Sequence, residues 1–422
     1  MKKKLVIAGL VGIMLTMCFA ACSKKEEKKS EKGHIIVQEG EEVFEESFQG
    51  NDMRMGCCQT EAGYYLLSNT FKIHYIDREN MEATPLCFDP DCSHPDNDNC
   101  QAYFLDNTYL QVYKGKLYAD RRETKLEDRF ETKVCLYEME LDGSSRRKVM
   151  DLYDSRDNGT YGDSFHTEWR IVGDKLYVMG DYQTGTISSY AYMDCYSGEG
   201  WKNRERIMEW EHIEDRVVNS HGMVLYYDAS DKSLYCTRTD WKDGYNEETE
   251  GYDLDGDIYM EVENLQEKTS KKILEDLNKI SPNWLSMAGC RNQIFGFADG
   301  SIYYYNKNTG KSEKLVQMEE KLRYSTFWAD RNYLYVNNSP ALEWEKEEGG
   351  INPEEGAILQ IYNIQGELVD TMKMPIKEGC IPLDGEDKQF YLMGYGNNEV
   401  YYMDKTKIGT GELEMIKIEG IK

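Results

Sequence analysis

The chain has 422 residues and carries 77 Asp and Glu against 50 Lys and Arg, a net charge of −27. So acidic a chain lacks the basic surface that nucleic acid or an anionic bilayer would need as its main partner. Twelve cysteines in this length are too sparse for a disulfide-built scaffold.

The N-terminus opens with Lys2, Lys3 and Lys4, continues through an apolar run from Leu5 to Phe19, and ends in Ala20, Ala21 and Cys22. The run is too short for a spanning helix and closes on small residues, which is the pattern of a secretory signal. A cysteine directly after the small residues predicts a lipoprotein signal over residues 1–21. Its thiol at Cys22 takes a diacylglycerol, and cleavage falls just before it. An ordinary signal cut near Ala21 is the alternative, and Phe19, three residues before the cysteine, stands where lipoprotein signals usually carry Leu. Cleavage removes the three lysines and takes the net charge from −27 to −30. Residues 22–33 are charged and lack apolar residues after the cysteine, so they read as a flexible tether.

Residues 34–422 read as one all-β domain. The sequence is broken into short strands by Gly, Asn and Asp turns, and it is rich in Tyr, with 32. A turn followed by an aromatic strand recurs at Lys114–Tyr118, Gly173–Tyr177, His221–Tyr226, Asn292–Phe295, Arg331–Tyr335 and Asp387–Tyr391. A second strand follows, as at Cys135–Gly143, Ser301–Gly310, Leu359–Gly366 and Val400–Asp404. A third, more polar strand leads out at Arg146–Leu152, Lys311–Met318, Glu367–Met374 and Glu412–Ile418. Tyr64–Leu67 with Ile73–Asp77 heads the series.

A small twisted sheet cannot bury both faces alone, and radial stacking buries them. The repeat therefore predicts a β-propeller of about seven blades, within six to eight. Units begin near Gly63, Thr108, His166, His212, Met287, Tyr324 and Gly379, with insertions near Gly244–Asp257 and Trp344–Pro353. His34–Val43 is a candidate closing strand for the last blade. Thr269–Ile280 has apolar residues at helical spacing and reads as one insertion helix, or as a strand end with a helical turn.

One segment stands apart: Cys87-Phe-Asp-Pro-Asp-Cys92-Ser-His94-Pro-Asp-Asn-Asp-Asn-Cys100. Three thiols and one imidazole make a donor set that zinc prefers, and short loops lower the cost of ordering it. The spacing is not a common zinc spacing, and a disulfide between two of the three cysteines suits an exported protein. On either reading the role is a structural staple, because a fully protein-coordinated zinc leaves no open position. No cofactor beyond that structural zinc is implied. Cys57-Cys58 reads as packing or as a disulfide partner. Cys135, Cys195 and Cys236 lie in strand-like runs and read as buried apolar residues. Asp253–Asp257 resembles a calcium loop poorly, since its glycine and closing Glu are misplaced.

No nucleophile elbow, dinucleotide fingerprint or phosphate loop occurs. The six histidines fall in no catalytic spacing, although His166 with Glu168 could face a channel.

The signal, the tether, the segment from Pro85 to Phe104 and the repeated G-K-L-Y strands resemble a family of uncharacterised lipoproteins from Gram-positive gut bacteria. That family's domain is likened to the β-propeller of low-density lipoprotein receptor-related proteins. The resemblance implies a propeller held at the outer face of the cell membrane through Cys22, with the bilayer as anchor, and it implies no activity. Two function classes follow. The first is a binding or scaffolding module for an extracellular glycan, peptide or partner protein, with Trp201, Trp241 and Trp344 as candidate stacking residues. The second is a glycan-active hydrolase or lyase using channel carboxylates.

Overall fold

A computed structural model of the chain describes residues 56–421 apart from 106–108, 125–131, 156–164, 184–188, 213–219, 229–231, 242–244, 247–250, 253–255, 275–285, 291–292, 299, 319–324, 331, 339–356, 376–379 and 394–397. The signal, Cys22, the tether and His34–Val43 lie outside the described residues. So does most of the Asp253–Asp257 turn.

Seven four-stranded antiparallel sheets follow one another along the chain, the arrangement of a seven-bladed β-propeller. Blade 1 contains Cys57–Gln59, Gly63–Leu67, Ile73–Asp77 and Ala83–Pro85. Blade 2 contains Leu110–Tyr113, Lys116–Thr124, Thr132–Glu140 and Arg147–Asp154. Blade 3 runs from Phe165 to His212, blade 4 from Ser220 to Ile273, and blade 5 from Ser286 to Gln317. Blade 6 runs from Ser325 to Lys373 and blade 7 from Cys380 to Lys417. Among the described residues the helical elements are two short 3-10 turns, and no helix is long and apolar enough to cross a membrane.

The turn-aromatic motif marks the second strand of its blade. Lys114 and Gly115 both have positive φ, which supplies the tight reversal into Lys116–Thr124. The motif at His221–Tyr226 is displaced: those residues lie in the first strand of blade 4, Ser220–Asp228. The reversal comes later, at Lys232, and leads into Ser233–Trp241 with Tyr235. Gly222 lies within Ser220–Asp228, at a shift of register between His221 and Val224. Of the two readings of Thr269–Ile280, the strand end is the one found, and 275–280 lie outside the described residues. Thr269–Ile273 is an edge strand paired with Met260–Asn264, because the free edge of that sheet outweighs the helical spacing of its apolar residues.

The core is a ring of apolar seams between neighbouring blades. Cys57 and Cys58 show how it is built. Successive strand residues point to opposite faces. Cys57 packs with Leu383, Phe390 and Val400 of blade 7, and Cys58 with Leu110, Val112 and Leu117 of blade 2. Both thiols are buried, as are those of Cys135, Cys195 and Cys236.

Each blade takes its four strands from one continuous stretch of chain, so blade 7 is completed by Met415–Lys417. The ring closes through contacts between blades 7 and 1. Gln59 Nε2 donates to Glu386 (2.6 Å), and the Tyr64 hydroxyl donates to Asp387 (2.7 Å). The Ala83 amide donates to the Glu419 carbonyl (3.0 Å) within a parallel bridge. The next residue must be glycine: Gly420 has φ +89°, and a Cβ there would sit 2.1 Å from the Ala83 oxygen.

Candidate metal centre and loop end

The segment that joins blade 1 to blade 2 is anchored at both ends by backbone hydrogen bonds. The Leu86 amide donates to Ile73 O (2.8 Å), the Ile73 amide to Ala102 O (2.9 Å), and the Phe104 amide to Phe71 O (2.7 Å). Leu86, Ala102 and Phe104 are buried, and Leu86 and Phe104 join the core between the two blades. Between these anchors the chain is polar and turns on itself. The Asp91 amide donates to the Asp89 side chain (3.0 Å), and the Asn99 amide to the Asn97 side chain (3.0 Å).

These turns bring Cys87, Cys92, His94 and Cys100 together. Their four ligand atoms all lie within 4.8 Å of one another. Cys100 Sγ is 3.7 Å from His94 Nδ1. His94 has φ +54°, a conformation histidine tolerates better than most residues, and its amide donates to Cys92 Sγ (3.3 Å). Cys87, Cys92 and Cys100 are all free thiols. Burial alone would raise the Cys87 thiol. Hydrogen bonds from the backbone of Asp89 and Gln101 and from Cys92 and Cys100 outweigh it and hold Cys87 below the ordinary thiol value. Burial, reinforced by Cys87 and Cys92, pushes the Cys100 thiol up to about 11. Cys87 and Cys100 are therefore not equivalent.

Cations surround the cluster. Lys72 pairs with Asp96 (2.5 Å), and Arg121 pairs with Asp98. Arg146 of blade 2 donates to the carbonyls of Gln101 (3.0 Å) and Tyr103 (3.2 Å), with its guanidinium over the Phe104 ring. The segment is thus held from both blades. The sequence shows which residues of the segment carry thiol and imidazole donors. The convergence depends on the Asx turns and on the seam that receives Leu86 and Phe104.

Cys236, Glu261 and Glu263 of blade 4 form a second such group. Burial raises the Cys236 thiol and keeps it protonated, which makes it a poor ligand. A cavity of about 260 Å³ between blades 4 and 5, bordered by Lys271, Tyr303, Ser312 and Glu313, brings no comparable donor set together.

The two ends of the propeller differ in their connections. In an up-down-up-down blade, the second-to-third link and the exit to the next blade leave from one end. Those links span 86–109, 125–131, 155–164, 213–219, 242–255, 274–285 and 339–357, alongside shorter ones. At the other end the links are tight turns such as 114–115, 173–174 and 307–310, and the longest is 405–414. Within 242–255, Tyr245–Asn246 pairs with Gly251–Tyr252 as a small hairpin.

Trp201 belongs to the tight-turn end and is not a free stacking platform. It is buried, donates from Nε1 to the Asp174 carbonyl (3.0 Å), and packs against Tyr113 and Tyr118. Trp241 ends the second strand of blade 4, at the loop end, while Trp344 lies outside the described residues. His166 and Glu168 sit in the first strand of blade 3, where Glu168 is buried.

No family model matches the chain, and no curated protein matches it. Among solved structures it is similar to the β-propeller domain of the Trilobed protease from Pyrococcus furiosus, which has an open velcro topology. Identity is 14%, with 72% of this chain and 84% of that chain covered and a TM-score of 0.39. It is also similar to Porphyromonas gingivalis dipeptidyl peptidase 4, at 10% identity and a TM-score of 0.42, covering 91% of this chain and 56% of that chain. These are likenesses of fold and assign no activity.

Proposed function

We propose that the protein is an extracytoplasmic binding module, tethered through a lipid on Cys22, that captures a glycan, peptide or partner protein at the loop end of its propeller. The observation that carries this reading is the unequal division of connections between the two ends. Long links gathered on a rigid scaffold are the usual way a propeller presents recognition residues. Their sequences combine aromatic residues (Phe130, Tyr161, Trp284, Trp344) with acidic runs at Glu247–Glu250 and Glu343–Glu348. That composition suits sugar stacking or a cationic partner.

Glycan hydrolysis through channel carboxylates has less support. A glycosidase of the usual kind needs two facing carboxylates. The first strands of the seven blades carry Glu168, Asp228 and Asp384, and the latter two end their strands on the tight-turn side.

The test is a glycan and peptide array screened with the full chain in detergent, followed by replacement of 343–348 with a Gly/Ser run of equal length. The expected result is a hit whose affinity falls at least about tenfold on replacement, as loss of a central contact would produce. Binding that survives this replacement and a matching one at 247–250, yet is lost with changes at the tight-turn end, overturns the reading.

A further inference from the structure

We propose that Cys87, Cys92, His94 and Cys100 form a closed zinc(II) site that clamps the segment joining blade 1 to blade 2. In a tetrahedral site with Zn–S bonds of about 2.3 Å, neighbouring ligand atoms stand about 3.8 Å apart. The four ligand atoms lie within 4.8 Å of one another, and the Cys100–His94 pair is already at 3.7 Å. Closing the site around an ion needs only small side-chain movements. A disulfide would use two of the thiols and give no reason for the third thiol and the imidazole to converge on the same point.

The surroundings also fit an ion. The His94 amide donates to Cys92 Sγ (3.3 Å), a backbone hydrogen bond of the kind that supports ligand thiolates. His94 presents Nδ1 inward. Three thiolates and one imidazole around Zn²⁺ leave a net charge of −1, and Arg146 donates to the Gln101 carbonyl next to Cys100. Binding releases the protons of the thiols to solvent, and no electrons move. With four protein ligands the ion has no open position, so it holds the fold and performs no chemistry. What it holds is specific. The segment between Leu86 and Ala102 buries little besides Cys100, so it lacks an apolar core of its own.

The experiment uses the full chain, purified in detergent under reducing conditions. Elemental analysis is expected to give about one zinc per chain, as one closed site requires. Replacement of zinc by cobalt(II) is expected to give sulfur-to-cobalt charge transfer and the intense visible bands of tetrahedral coordination. Cys92→Ser and His94→Ala lose the metal, whereas Cys195→Ser keeps it. Chelation is expected to expose residues 87–100 to proteolysis while blades 5 to 7 stay resistant. The proposal fails if the reduced chain takes up no metal, if peptide mapping finds a native disulfide among Cys87, Cys92 and Cys100, or if the variants retain their zinc. An octahedral cobalt spectrum from the unaltered chain also overturns it, and that result does not depend on whether a variant folds.

Discussion

Blades 6 and 7 meet in a different way from blades 1 and 2. Between blades 6 and 7, Trp328 stacks on Tyr335 with ring centroids 5.2 Å apart and meets Tyr391 edge-on. All three rings are fully buried. Several polar groups there are paired within the seam. Trp328 Nε1 donates to Gln389 (3.3 Å), and Lys405 Nζ lies 2.9 Å from Asp330, which also accepts from the Tyr335 hydroxyl (2.6 Å). Burial would raise the Asp330 carboxyl, but Lys405 and Tyr335 outweigh it and hold it below the usual carboxylate range. Between blades 1 and 2 an apolar seam also exists, but a polar segment is laid over it and tied by Asx turns, ion pairs and clustered donors. One seam is stable because of what it buries. The other carries a strap whose order depends on point attachments. Apolar burial is distributed over many atoms, while a point attachment fails when one ligand is removed.

The largest test of that contrast is Trp328→Ala, which leaves a cavity between two tightly packed blades. It is expected to cost about 4 kcal/mol in chemical denaturation of the full chain. A loss below about 1 kcal/mol would mean the stacked rings contribute little beyond ordinary surface residues.

The second test concerns acid sensitivity at the strap side of blade 1. His74 is buried, and its Nδ1 faces the Lys72 carbonyl at 3.2 Å. Burial lowers its imidazole from 6.5 to about 4, a shift the Lys72 carbonyl opposes and the Lys72 charge reinforces. A lowered native value means the unfolded chain binds more protons between those two values. The stability present above pH 6.5 is therefore lost as pH falls toward 4, by about 3 kcal/mol at most. Denaturation midpoints measured across this range check it, and His74→Gln is expected to flatten the slope. An unchanged slope in that variant assigns the acid sensitivity to other groups.

A smaller effect is expected at Gly115, in the tight turn of blade 2. A Cβ there meets nothing within 4 Å, but φ is +75°. Gly115→Ala is thus expected to cost about 1 kcal/mol from backbone strain alone, read as a shift in thermal midpoint without change in proteolytic pattern. The smallest effect should come from Phe88→Ser within the strap. Phe88 is 61% exposed, so the change should stay within about 0.5 kcal/mol. A larger loss would show that the strap does rest on apolar burial, and would erase the contrast between the two seams.

Much of the architecture was legible before any coordinates. The turn-aromatic strands were readable because each contains a reversal that only a few residue types allow, such as Lys114-Gly115, followed by Leu and Tyr that must be buried. The first strands of the blades were harder to see. Phe327-Trp328-Ala329 and Cys57-Cys58-Gln59 are buried on both faces and show no apolar-polar alternation. His221–Tyr226 carries the turn-and-aromatic pattern yet forms a first strand. Trp201 was misread because exposure is not written in residue type. Gly198 and Gly200, both with positive φ, fold that turn back so the indole reaches Tyr113 and Tyr118.

The sequence by itself determined the all-β class, a repeat of about seven units and the presence of three thiols and one imidazole between Pro85 and Phe104. Each of these is carried by local chemistry: turn residues, side-chain period and donor type. Only the tertiary structure decided that the donors converge, that Cys57 and Cys58 serve two different seams, and that the long links share one end. Those outcomes depend on which strand edges meet and which faces are buried, and that is settled by packing between residues far apart in the chain.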